Sequence, residues 1–131
     1  MENQNKRYDL EERTAVFAEH IRDFCLKLPR NIANNEYIPQ LIRAGSSPGA
    51  NYIEANENIG TKDFGMKIKT CRREAKESAY WLRLIMTDKS EEMENERNAL
   101  RQEAKEFVLI FTAILKNRAE SLNNKKRFAF A

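Results

Sequence analysis

Between Phe107 and Leu115 the chain reads Phe-Val-Leu-Ile-Phe-Thr-Ala-Ile-Leu, inside a longer segment whose apolar residues recur at helical spacing. A helix on the surface of a small monomer needs only one apolar stripe. This run is apolar nearly all the way round, so it asks for cover on more than one side. The architecture it suggests is a helical protomer that hides one face in its own core and a second face against a copy of itself.

The totals agree with a helical chain. A third of the 131 residues are charged, and only four Gly and three Pro interrupt them. That composition suits helices better than sheets. The length suits a single domain, residues 1–131, with room for an ordinary core. The net charge of +3 is too mild to imply nucleic-acid or membrane binding by itself. Cys25 and Cys71 sit in apolar helical patterns and are expected to be reduced and buried. No apolar stretch follows Met1 as a secretory signal would, and nine apolar residues fall well short of the roughly 20 that span a bilayer. The expected location is the cytoplasm, away from membranes.

Four helices are predicted. The first starts at Asp9, where Asp9 and Glu12 have capping-box spacing. Its seam is Leu10, Thr14, Phe17, Ile21, Phe24 and Leu28, and Pro29 ends it. Residues 29 to 35 read as a loop. The second helix is predicted from about Glu36 to about Asn58. Pro48 stands in its middle between Gly45 and Gly49, and predicts a kink; a break into two short helices is the alternative. Gly60 and Thr61 close that helix and start the next. The third seam is Phe64, Ile68, Cys71, Ala75, Ser78, Leu82 and Ile85. Residues 87 to 90 form a turn with Ser90 as N-cap. The fourth helix runs from about Glu91 to about Leu122, with Met93, Leu100, Ala104, Phe107, Phe111, Ile114 and Leu115 inward. Residues 1–7 and 123–131 read as flexible tails, with Phe128 and Phe130 free to dock on a neighbour. Short links between four such helices predict an all-α, antiparallel up-down four-helix bundle.

The apolar surface left over decides the assembly. Leu109 points away from the fourth seam, Ile110 lies about 100° to its side, and Trp81 flanks the third seam. Exposed together they would form a large patch for a monomer. They are the candidate oligomer interface, with cover from within the chain as the alternative.

The candidate binding face lies on the third helix. Lys62, Lys69, Lys76 and Arg83 recur at seven-residue intervals, with Arg72, Arg73 and Tyr80 beside them. Residues 62 to 83 hold seven positive and three negative side chains, a local +4, whereas residues 88 to 106 sum to −3. Such segregation suits phosphate binding, repeated in every subunit of an oligomer, with Tyr80 able to stack on a base. The plain alternative is a solvated face with local pairs such as Arg73–Glu77. Lys125, Lys126 and Arg127 offer further phosphate contacts.

Nothing points to catalysis. One histidine, His20, excludes the paired Glu-x-x-His pattern of di-iron bundles, and zinc sites of Cys and His need more ligands. No glycine loop follows a strand. No metal or cofactor is implied, and the expectation is a protein that is not an enzyme.

Three segments resemble a known family. The first is Gln40 to Ala55, with Arg43, the small stretch Gly45-Ser46-Ser47, then Gly49-Ala50-Asn51 and Glu54-Ala55. The second is Thr61-Lys62-Asp63-Phe64 with Lys67-Ile68-Lys69. The third is Arg73-Glu74-Ala75-Lys76-Glu77-Ser78 leading into Tyr80-Trp81-Leu82-Arg83-Leu84. Together they resemble the four-helix-bundle proteins first met as reading frames in intervening sequences of bacterial 23S ribosomal RNA genes. Pro48 departs from the pattern, standing where many relatives carry Ile or Val. The resemblance implies an up-down bundle that assembles as a ring-like homo-oligomer, typically a homopentamer, without established enzymatic activity. One branch serves as the accessory protein of diversity-generating retroelements, which implies RNA or DNA, and a reverse transcriptase or another nucleic-acid-handling protein, as partners. Arg43, Asn51 and Glu54 belong to the resembling motif. Their expected role is structural: to satisfy carbonyls freed by Pro48, or to pair across a subunit boundary.

Overall fold

The computed structural model describes residues 2–130, with side chains described for 9–127. Four helices follow one another: α1 (Glu2–Leu26), α2 (Ile32–Glu57), α3 (Lys62–Leu84) and α4 (Glu91–Phe130). Among the described residues there is no strand. The helices form a four-helix bundle in which α3 packs against α2 and α4, and α1 packs against α2 and more thinly against α4.

The seams carry this packing. Leu10, Thr14, Phe17, Ile21, Phe24 and Leu28 are all buried, and so are Ile68, Cys71, Ala75, Ser78, Leu82 and Ile85. Phe17 meets Phe107 of α4 edge to face, with ring centroids 5.3 Å apart. Phe111 takes Tyr52 of α2 at 6.1 Å. One apolar cluster therefore draws on all four helices. Thr14 is polar within it, and its hydroxyl donates to the carbonyl of Leu10 at 2.8 Å. That local bond makes its burial affordable.

The glycines of α2 act as contact surfaces. A Cβ on Gly45 would lie 3.1 Å from both Cγ atoms of Ile21, and one on Gly49 would lie 3.1 Å from the hydroxyl of Thr14. Their bare backbone lets α1 approach closely along one turn of α2. The helix runs unbroken through Pro48, so the two-helix alternative is set aside. The small middle of α3 receives α2 here, and the Cys71 thiol donates to the carbonyl of Pro48 at 3.4 Å.

Helix boundaries differ from the expected ones for identifiable reasons. α1 begins upstream of Asp9, at Glu2, so Asp9 and Glu12 lie inside the helix. No Gly or Pro between them interrupts the earlier residues. α2 begins at Ile32, four residues before Glu36, because Asn31 caps it by accepting the amide of Asn34 at 2.8 Å. α4 continues past Leu122 to Phe130. The turn after α3 follows expectation: Ser90 Oγ accepts the amide of Met93 at 3.2 Å. Lys89 there has a φ of 65°. Arg97 of α4 reaches back, and its Nη1 donates to the carbonyl of Ile85 at 2.8 Å and to that of Arg83 at 3.2 Å. These are terminal carbonyls of α3 that lack helical partners. The side chains of Phe128 and Phe130, and those of the expected first tail, lie outside the described ones.

Candidate nucleic-acid interface

Helical phase sets where the cations of α3 point. With Ile68, Cys71, Ala75 and Leu82 turned into the core, Lys62, Lys69, Lys76 and Arg83 fall on the edge facing away from it, and all four are exposed. Arg72 is half-buried on the same side, and Arg73 and Tyr80 are exposed beside it. The structure keeps these seven residues together on one face.

Their charges are unequally answered. Lys62, Lys69, Arg72, Lys76 and Arg83 have no ion pair among the described residues. Arg73 has a long contact of 3.5 Å to Glu74, not to Glu77. Burial pushes the Glu74 carboxyl up, and the neighbouring Glu77 adds to it. Lys67, which contributed to the local +4, is drawn to the other side, where it pairs with Glu54 of α2. That hydrogen bond raises the pKa of its ammonium.

The second wall comes from α4. Lys76 and Ala79 face Lys105, Val108 and Leu109 across a depression of about 350 Å³. Further along, Lys62 and Lys69 face Leu115 and Arg118 across another of about 410 Å³. The α3/α4 groove thus has cations on both walls and an aliphatic floor, and no carboxylate lines either depression. Arg118 lies over Gly65, 3.2 Å from where its Cβ would be, and Nη2 donates to the carbonyl of Thr61 at 3.0 Å. Thr61 itself turns its hydroxyl back to Asn58. Sequence reading missed Lys105 and Arg118. Their signal is phase: they sit on α4 one turn before Val108 and one turn after Leu115.

The three residues of the expected interface patch are not brought together. Leu109 is 70% exposed and belongs to the groove. Ile110 is half-buried against the core and shares its flank of α4, by phase, with Glu103 and Glu106, which hold Arg13 of α1. Trp81 is half-buried on the α2 side, its ring 5.9 Å from Tyr37 and 5.2 Å from Tyr80. The resembling motif is likewise dispersed. Asn51 donates to the carbonyl and hydroxyl of Ser47, Glu54 holds Lys67, and Arg43 donates to Gln40 at 3.1 Å. Pro48 is buried. No hydrogen bond or ion pair within the chain joins Arg43 to Asn51 or Glu54.

With this geometry in place, the fold can be set beside known structures. It is similar to a crystal structure of a protein of unknown function from the S23 ribosomal protein family of Bacteroides thetaiotaomicron. Their sequences are 24% identical, the match covers 82% of this chain and 98% of that one, and the TM-score is 0.66. What the two share is the fold. No protein-family model and no curated protein matches the chain.

Cysteine chemistry is suppressed on both seams. Desolvation pushes the thiol of Cys25 up to about 11 and that of Cys71 up to about 12. At pH 8 the folded thiols are protonated, whereas an unfolded thiol near its ordinary value is partly ionised. Iodoacetamide should therefore label the native chain at least about a hundredfold more slowly than the urea-unfolded chain. Rapid labelling of the native chain would show a thiolate that the packing does not allow. Among the described residues no group of three His, Cys, Asp or Glu side chains is placed to hold a metal ion, and no helix is long and apolar enough to cross a membrane.

Proposed function

We propose that this protein binds nucleic acid, RNA foremost, along the α3/α4 groove, and does so without catalysis. The observation that carries the reading is the pair of facing cationic walls. Lys76 stands opposite Lys105, and Lys62 and Lys69 stand opposite Arg118, with no acid between them. Like charges held across a groove repel one another until an anion lies between them. A polyphosphate backbone supplies that anion repeatedly and releases its own counterions on binding.

The three resembling segments, taken with the shared fold, support membership of the ribosomal intervening-sequence bundle family. We extend the proposal accordingly to an up-down antiparallel bundle, bent at Pro48, that assembles as a homo-oligomer of ring type. The order of cross-helix contacts supports the antiparallel arrangement: Thr14 lies by Gly49 and Ile21 by Gly45, while Arg13 pairs with Glu103 and Lys27 with Glu96. Ile42 and Ile53, exposed together on a face of α2 outside the groove, support self-association. Each copy would then present the same groove, and avidity would multiply its affinity.

Fluorescence anisotropy with a labelled RNA tests the central claim. With five groove cations engaged, affinity should fall about a hundredfold between roughly 50 and 200 mM salt. The double variant Lys69→Glu with Lys76→Glu should lose at least about a hundredfold at fixed salt, since two contacts become two repulsions. The chain's mass by light scattering, with and without RNA, tests assembly. The aliphatic floor favours one other reading, a scaffold that binds a protein partner's helix. Tight, salt-independent binding to a protein, with no affinity for RNA or DNA, would replace the nucleic-acid reading with that one.

A further inference from the structure

Tyr80 is 54% exposed, and its hydroxyl has no hydrogen-bond partner among the described residues. A large ring left open in this way usually swings freely. Here it is held. Its centroid lies 5.2 Å from that of Trp81 in an edge-to-face contact, and Trp81 in turn lies 5.9 Å from Tyr37 of α2. Edge-to-face pairs of this kind favour one ring orientation over others. The three aromatics form a row that begins between α2 and α3 and ends in one open ring on the cationic face.

The surroundings of that ring are set by helical register. Lys76 is one turn before it, Arg83 one turn after, and Arg73 two turns before. Glu77 is the sole acid within one turn of it along α3. The depression between Lys76 and Lys105 opens a turn away, floored by Ala79 and Val108. A backbone running along the groove would therefore have phosphate contacts on both sides of Tyr80 and an aromatic face between them.

An aromatic face next to phosphate sites discriminates between forms of nucleic acid. In a duplex the base faces are stacked on one another and only edges are presented in the grooves. A single strand can turn a base out and lay it on a ring, and this is tolerant of base identity because every base has a π-face. We infer that the groove takes nucleic acid as a single strand, with one unpaired base stacked on Tyr80. The inference rests on the nucleic-acid reading of the groove and adds the form of the ligand and the residue that selects it.

The test compares a labelled single-stranded RNA of about ten nucleotides with a duplex of the same length. The single strand should bind the tighter of the two. Tyr80→Ala should weaken single-strand binding about tenfold and leave duplex binding unchanged, and Tyr80→Phe should restore it, because stacking needs the ring and not the hydroxyl. Trp81 is the chain's one tryptophan, so single-strand binding beside it should also change the intrinsic fluorescence. Equal affinity for the two forms would overturn the inference. So would a Tyr80→Ala variant that binds the single strand normally while Lys69→Glu with Lys76→Glu does not; the groove reading would then survive alone. If neither form binds the native chain, both readings fall.

Discussion

Phe107→Ala is expected to lower the free energy of unfolding by about 4 kcal/mol, the largest single effect in the apolar core. Phe107 is fully buried. Its ring meets Phe17 edge to face at 5.3 Å, stacks on Phe111 at 6.1 Å, and lies under the guanidinium of Arg13 at 5.2 Å. Alanine removes the buried ring and leaves a cavity that α1 and α4 can close only in part, since their contact is already the thinnest in the bundle. The loss is a large share of the roughly 5–15 kcal/mol that stabilises an ordinary domain. Leu109→Ala, two residues on, is the natural comparison. That side chain is 70% exposed, so its removal should change stability by no more than about 0.5 kcal/mol. Urea midpoints of the two variants, taken at a concentration where light scattering shows single chains, separate the cases. Similar midpoints would mean that the apolar run is not divided into a buried and an open side as the structure has it.

That division marks how far the sequence could be read. Periodicity identified the buried face of α1 and most of those of α3 and α4, where Phe64, Ile114 and Leu115 are only half-buried, because a seam such as Leu10, Thr14, Phe17, Ile21, Phe24 and Leu28 reflects one helix and one interior. It could not say which neighbour each flank would meet. Leu109, Ile110 and Trp81 looked like one patch because each lay off its own seam. The packing sends them to three places, and only long-range pairing decides that. The same limit hid the second wall of the groove. The cations of α3 were legible as a heptad row, but Lys105 and Arg118 gained meaning only when α4 was laid beside α3. Lys67 added to the local +4 of residues 62 to 83 but is answered by Glu54 across the α2/α3 contact. Gly45 and Gly49 stood in the sequence only as flanks of the expected kink at Pro48, whereas they provide close contact with Ile21 and Thr14. In each case the residue type was visible and the partner was not.

Asn34 is the sharpest instance, and its replacement carries the second large expected effect. Three asparagines in residues 29 to 35 read as a loop. In the structure Asn31 caps α2, Asn35 is exposed, and Asn34 is completely buried. Its side-chain amide donates to the carbonyls of Pro29 and Met86, each at 2.8 Å, and its oxygen accepts the amide of Met86 at 2.8 Å. One side chain thus ties the α1–α2 link to the α3–α4 link at one end of the bundle. Asn34→Leu keeps the volume roughly constant but leaves two carbonyls and one amide, all part-buried, without their partners. At about 1–3 kcal/mol for each unsatisfied group, and with water reaching some of them after relaxation, the net loss should be about 3–5 kcal/mol. Asn35→Ala, whose side chain faces solvent, should stay within about 0.5 kcal/mol of the native chain. Thermal and urea unfolding of the two variants provides the measurement. Hydrogen exchange adds a local readout, since the amide of Met86 should lose protection in Asn34→Leu even under conditions where the bundle stays folded. If Asn34→Leu unfolds at the native midpoint and the Met86 amide stays protected, the links at this end of the bundle are held by something other than Asn34.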